Sequence, residues 1–301
     1  MTGKQVMSLT KENTSVKKPP VKGKNLPVFT MVGPTVIWLL MFLLIPLLYV
    51  IFISFMSKNS YGGVSLPVTM QGYLDMFQSD YVKIFAQSLI LSLKTTVICL
   101  LLGYPFAFII ASAPKKWKSL LVLMLMLPFW INSMIRIYGW ITLLRSQGIV
   151  NSFLQNIGLI DKPMEFLYTD GAVLFGMVYD LIPFTVLPIY TSIEKLDHSL
   201  VEAAADLGAG KVHTFIRVIL PQTMPGIFAG SIQTFIPSLG LFYIADMMGG
   251  GKTMYIGNLI KNQFLSARNW PLGAALAIVL IIITLILMRL YTRVGSLDDM
   301  A

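Results

Sequence analysis

The sequence predicts an all-α integral membrane protein with about six transmembrane helices and both termini in the cytoplasm. Three observations predict it. The 301 residues are 55% hydrophobic and only 12% charged, against roughly 45–50% apolar and 25% charged in soluble domains. Apolar runs that meet the bilayer requirement of about 20 residues per helix recur near 29–56, 85–113, 120–144, 172–192, 225–247 and 271–291. Basic residues gather in alternate connections: a leader with Lys4, Lys11, Lys17, Lys18, Lys22 and Lys24, a turn with Lys115, Lys116 and Lys118, a loop with Lys195, Lys211 and Arg217, and a tail with Arg293. An even number of helices puts all four on one side, which the positive-inside bias makes the cytoplasm. The other loops hold Lys58, Lys83, Arg145, Lys162, Lys252, Lys261 and Arg268, so the bias is moderate.

The first run is too long for a signal-peptide core and has no small-residue cleavage site, so it reads as a retained helix. The organisation expected is a basic, disordered cytoplasmic tail over 1–27, a transmembrane domain over 28–292 with a cytoplasmic loop at about 193–221, and a short tail over 293–301. Pro46, Pro105, Pro128, Pro183, Pro188 and Pro237 fall inside the runs, where membrane helices tolerate proline by bending. Gly226 and Gly230 give a GxxxG spacing suited to close helix contact. The single cysteine, Cys99, lies within an apolar run and excludes a disulfide framework or a Cys-rich metal site.

Between the fourth and fifth runs lies a polar island, EAAADLGAGKVHTFIRVILP, from Glu202 to Pro221. Ser199 and Glu202 have capping-box spacing, and Leu200, Ala203, Ala204 and Leu207 follow at helical intervals. Gly208 is placed to stop this helix in a left-handed conformation. Gly210 loosens the next step, and Lys211 to Leu220 can start a second helix before Pro221. The first helix has an apolar face made mostly of alanine, with Glu202 and Asp206 on its flank, as suits a knob that enters a partner's groove.

This island resembles the signature of inner-membrane permease subunits of binding-protein-dependent ABC importers: EAA, three residues, Gly, nine residues, Ile, one residue, Leu-Pro. Glu202, Ala203, Ala204, Gly208, Leu220 and Pro221 match, and Val218 replaces the usual Ile with another apolar side chain. The resemblance implies a type I ABC importer permease fold in a bacterial inner membrane. It also implies that 200–210 is a coupling helix seated in a cleft of an ATPase subunit. From the second run onward, LGYPFAF (102–108), LPFWINSMIRIYGW (127–140), SIEKLD (192–197), GLFYIADMMGG (240–250) and IGNLIKNQF (256–264) resemble the spermidine/putrescine permeases, specifically their PotB-type subunits. That family implies a second permease subunit (PotC-type), two copies of an ATPase (PotA-type) that hold ATP and Mg, and an extracytoplasmic polyamine-binding protein (PotD-type). No cofactor is implied on this chain, and no catalytic residue.

A polyamine carries ammonium groups spaced by methylenes, so a path for it calls for carboxylates and aromatic faces. Asp180 lies mid-way along the fourth run beside Tyr179, where a lone carboxylate costs about 2.5–3.5 kcal/mol on insertion scales. It reads either as a cation contact or as one half of a structural pair. Asp246 and Tyr243, at the outer end of the fifth run, read as a contact on entry or as ordinary interfacial residues. Trp130, Tyr138 and Trp140 offer ring faces or an aromatic belt. Arg136 is expected to snorkel or to pair with Asp180 or Asp246, and Lys94 to sit near the outer edge of its helix.

Three other readings fail. GGGKT (249–253) lacks the first glycine of a phosphate loop and follows no strand. His198 and His213 have no acid, nucleophile or metal-ligand constellation around them. The helix–turn–helix of the island also fits a DNA-binding module. However, Lys211 and Arg217 are offset by Glu202 and Asp206, leaving no basic surface for nucleic acid. A permease of the same fold for an inorganic anion or iron stays open, although carboxylates in the path favour a cation.

Overall fold

The computed structural model describes residues 26–297. The leader expected to be disordered lies outside the described residues up to position 25, as does the tail after 297. Contacts divide the chain into a first unit up to Tyr49 and a second from Val50. The first unit contains α1 (Leu26–Leu39), a π-helical segment (Leu40–Leu44) and the beginning of α2 (Ile45–Ser54). The second continues through a two-stranded antiparallel ribbon, β1 (Ser57–Lys58) and β2 (Val64–Ser65), then α3 (Gln71–Asp75) and α4 (Ser79–Ser112). There follow α5 (Lys115–Met126), α6 (Ser133–Leu144), α7 (Ile149–Asn156), α8 (Asp170–Glu194) and α9 (His198–Asp206). The last are α10 (Lys211–Thr214), α11 (Leu220–Gly240), α12 (Phe242–Gly249), α13 (Ile256–Leu265) and α14 (Trp270–Leu297).

Among the described residues, five helices are long and apolar enough to cross a membrane, or six if the one bent pair counts as a single span. The bent pair corrects the third expected run. Instead of one helix over 120–144, α5 passes into a 3-10 turn at Leu127–Trp130, and the chain turns by 90° before α6. Pro128 starts the break, because it has no N–H for the ladder. Ile131 then goes extended, and the Asn132 side chain accepts the Met134 amide at 2.9 Å to cap a new helix.

The fifth run is also corrected. Its helix begins at Lys211, runs without interruption past Pro221, and ends at Gly240, so after a break at Leu241 residues 242–247 belong to the separate helix α12. The island's second helix thus starts at Lys211, before Pro221, and continues into the fifth span. A π-helical segment at Phe215–Ile219 precedes Pro221, as the segment at Leu40–Leu44 precedes Pro46. In an α-helix each proline ring would meet the carbonyl four residues back. A wider turn over that carbonyl removes the conflict.

In the second unit α8 packs against both α4 and α11. Ala107, Ile110, Val186, Ile189 and Ile193 fill the contact with α4. The GxxxG pair faces α8: a Cβ on Gly226 would come within 2.6 Å of the Pro188 carbonyl oxygen, and one on Gly230 within 2.9 Å of the Thr185 carbonyl oxygen. Backbones can approach this closely only without side chains, and in a bilayer such dispersion contacts replace the hydrophobic drive available in water. Thr185 and Thr234 hydrogen bond across the same crossing. A second cluster joins α6, α8 and α12 through Ile137, Ile141, Val173, Met177, Ile244 and Met248.

Candidate functional site

The 90° bend brings the first turn of α6 against the middle of α8. Asp180, 7% exposed, is the centre of the contact. An Arg136 guanidinium nitrogen donates to its Oδ1 at 2.8 Å, and both side chains are more than nine-tenths buried. The Ser133 hydroxyl donates to the same oxygen, and the Tyr243 hydroxyl from α12 donates to Oδ2 at 2.7 Å. The Ser133 and Tyr243 hydroxyl oxygens are also 2.8 Å apart, but with each giving its single proton to Asp180 no hydrogen bond joins them. The carboxylate thus has one cation and two hydroxyl donors, whereas Arg136 Nε and Nη1 are buried without a hydrogen-bond acceptor among the described residues.

Aromatic rings enclose the arginine. Its guanidinium carbon lies 4.2 Å from the centre of the Phe129 ring and 5.4 Å from that of Tyr179. Trp140 packs edge-on against Tyr179 at 5.4 Å and Phe175 at 4.7 Å. Arg136 thus pairs with Asp180 and not with Asp246. Ser133 and Phe129 belong to this site although the sequence singled out neither. Ser133 and Arg136 are three residues apart, the spacing of one helix face, but that face exists only once the helix restarts at Asn132.

Asp246 lies one turn beyond Tyr243 on α12 and has its own partners. Lys261 of α13 forms an ion pair with it, and Asn258 donates its amide to the other carboxylate oxygen. Lys261 and Asn258 repeat the three-residue spacing, and the sequence pointed to neither as a partner of Asp246. Trp130 and Tyr138 stand apart from both carboxylates. They are 81% and 62% exposed, on surfaces the chain itself leaves open.

In the loop after α8, the helix α9 corrects the capping expectation. Its N-cap is Asp197, whose carboxylate accepts the Ser199 amide at 2.9 Å, so Ser199 lies inside the first turn. At the other end Gly208 has φ +79°. Its amide donates to Ala205 at 2.9 Å and that of Ala209 donates to Ala204 at 3.0 Å, the two bonds of a Schellman cap. No residue of α9 is buried. Glu202, Ala203 and Asp206 are exposed and Ala204 is half-covered, while Leu207 is 88% and Val212 73% exposed. Leu220 and Pro221 lie further on, within the continuous helix that leads into the membrane.

Bonding from Ser199, first its hydroxyl and then its amide, holds the Asp197 carboxyl below the usual carboxylate range. A depressed folded-state value means that the cap's contribution is complete above the unfolded value and is lost as pH falls through the folded one. Amide exchange in the first turn of α9, corrected for its intrinsic pH dependence, should therefore accelerate in acid. Asp197→Asn should remain capped and lose this dependence.

One family model, described as the binding-protein-dependent transport system inner membrane component, matches residues 25–296. The chain belongs to this family. It is thus a multi-pass inner-membrane component of a transport system. A protein named as the spermidine/putrescine transport system permease protein PotB of Salmonella typhimurium (strain SL1344) is 45% identical over 276 residues, covering 92% of this chain and 95% of that one. Its namesake in Escherichia coli (strain K12) is 45% identical over 270 residues, covering 90% and 97%. Among solved structures, a bacterial ABC transporter involved in import of the acidic polysaccharide alginate aligns with TM-score 0.75 at 20% identity, over 90% of this chain and 96% of its own. That likeness establishes the permease fold.

Proposed function

We propose that this chain is one permease subunit of an ATP-driven importer of the polyamines spermidine and putrescine. The observation that carries the reading is the 45% identity to PotB proteins over nearly the whole of both chains. In this reading a second permease subunit (PotC-type) completes the path, and an extracytoplasmic binding protein (PotD-type) delivers the cargo. A pair of ATPase subunits (PotA-type) holds ATP and Mg and does the hydrolysis, while this chain performs no chemistry. Both termini are cytoplasmic. The ion pair between Lys118 at the start of α5 and Glu194 at the end of α8 supports a shared side for the Lys115 turn and the α8–α9 loop.

The exposed helix α9, with Glu202, Ala203, Ala204, Asp206 and the Gly208 stop, docks in the ATPase, and the helix through Leu220 and Pro221 carries its movement into the membrane. An alanine-faced helix with no buried residue and two exposed apolar neighbours supports this role. Tyr179, Asp180, Tyr243 and Asp246 lie along the path on this subunit's side. Trp130 and Tyr138 join it where the second permease subunit closes over them. Rocking of the bent spans then alternates access between the two sides of the membrane.

The test is uptake by the complete complex in proteoliposomes, with labelled spermidine, putrescine and sulfate offered separately. ATP-dependent uptake of either amine is expected. Uptake of sulfate with neither amine would assign the subunit to a different solute.

A further inference from the structure

We infer that Gln233, with Thr191 and Ser192, forms an uncharged station on the inner half of the path, where amide and hydroxyl oxygens receive the ammonium groups of the cargo on their way to the cytoplasm. The inference deepens the polyamine reading and rests on it. Gln233 belongs to α11, about 20 Å beyond Leu220 at 1.5 Å per residue. That depth lies within a hydrocarbon core of about 30 Å. Its side chain is exposed and has no hydrogen-bond partner among the described residues. An amide left against lipid would strand two N–H groups and an oxygen, so a polar side chain at this depth faces a cavity or another protein surface.

The surface around Gln233 continues the Asp180 site inward. The hydrogen bond between Thr185 and Thr234 sets the level of the crossing, which puts Gln233 beside the turn of α8 that follows Asp180. On α8, Asp180, Phe184, Leu187 and Thr191 recur at helical intervals and share one face. Phe184 packs edge-on at 6.0 Å against Phe129, the ring that covers Arg136. Past that ring a groove of about 420 Å³ opens between the two helices, lined by Leu187, Pro188 and Thr191 on one side and by Pro225, Ala229 and Gln233 on the other.

The groove offers oxygens and no charge, for none of its lining residues is ionisable. The Thr191 hydroxyl donates its proton to the Leu187 carbonyl at 2.9 Å, so only its lone pairs remain for a ligand. Gly226 leaves room for the Ser192 hydroxyl, whose oxygen a Cβ there would approach within 2.5 Å. Pro188 and Pro225 have no N–H, so the carbonyls of Phe184 and Pro221 lack their usual helical donors. A surface so rich in acceptors suits a ligand that only donates, as an ammonium does. Neutral oxygens replace its water yet hold it less strongly than a carboxylate, and a station that lets go is what passage requires.

The experiment measures equilibrium binding of labelled spermidine to the permease–ATPase assembly in nanodiscs, without the soluble binding protein, and uptake by the complete complex in proteoliposomes. Gln233→Glu is expected to tighten binding roughly two- to fivefold, the range for one added, partly exposed ion pair, and to slow uptake at saturating cargo by a similar factor. Gln233→Lys should weaken binding and lower uptake about tenfold or more, because it sets like charges close together inside the membrane. A purely structural side chain would respond to both changes in the same direction. Equal effects of the two variants on binding, or no effect of either, in normally assembled complexes would overturn the proposal. If the Gln233 variants assemble poorly, Thr191→Asp and Thr191→Lys, at the exposed inner end of the groove, must show the same opposite shifts. Failure of all four to assemble would show that this face packs against the second permease subunit and equally overturn the proposal. A wild-type complex that takes up neither amine would refute the polyamine reading, a result distinct from amine uptake with charge-independent effects at Gln233.

Discussion

Replacing Gly208 with leucine is expected to leave the subunit inserted in the membrane while uptake falls about 5- to 30-fold and ATP hydrolysis persists. No atom lies within 4 Å of the position a Cβ would take, so a clash is not the cause. The cause is the backbone. At φ +79° an L-residue costs roughly 1–2 kcal/mol, which is a factor of about 5–30 in the population of the turn. When the turn relaxes, the bonds from Gly208 to Ala205 and from Ala209 to Ala204 open, and α9 leaves the angle that presents its alanine face. Gly208→Asn separates conformation from bulk, because asparagine tolerates the left-handed region. It should retain most of the uptake. Wild-type uptake by Gly208→Leu would show that the left-handed turn is not needed for coupling.

Arg136→Met should destabilise the protein by about 3–5 kcal/mol, the typical cost of removing one member of a buried ion pair. Asp180 would remain with only Ser133 and Tyr243 as donors, enclosed by α6, α8 and α12. Arg136→Met/Asp180→Leu should recover most of the loss, since an apolar pair of similar volume replaces a buried salt bridge at little net cost. One of the Ser133 and Tyr243 hydroxyls, 2.8 Å apart, would then donate to the other. Thermal unfolding of the purified assembly compares the single and double variants. A single variant as stable as the wild type, or a double variant no better than the single, would remove Arg136 as the partner that stabilises Asp180. Uptake by the double variant then asks a separate question: its loss in a stable protein would assign Asp180 to cargo handling, and its retention would make the pair structural.

The two sites differ in how much of them the sequence discloses. In α9, the left-handed stop at Gly208 depends on neighbours within five residues, so local pattern reaches it. The cap came out two residues early because Asp197 and Ser199 both offer oxygens to the first turn, and only geometry chooses between them. The Asp180 site joins α6, α8 and α12, and Arg136 lies 44 residues from its partner. Pattern marks each residue as costly in a membrane and offers Arg136 either Asp180 or Asp246 as a partner, and it cannot choose between them. Lys261 and Asn258 escaped for a related reason: on a helix outside the apolar runs, a lysine and an asparagine look like ordinary loop-side polarity.

By itself the sequence determined the membrane class, the signature of a binding-protein-dependent permease and the stopped helix of the island, because hydropathy and a left-handed glycine are properties of short segments. Tertiary structure alone decided that the third span breaks at Pro128 to aim Ser133 and Arg136 at Asp180, and that Tyr243 and Asp246 sit on a separate helix. Those outcomes follow from which helices pack together, since a buried charge takes whichever donor the packing brings within hydrogen-bonding reach.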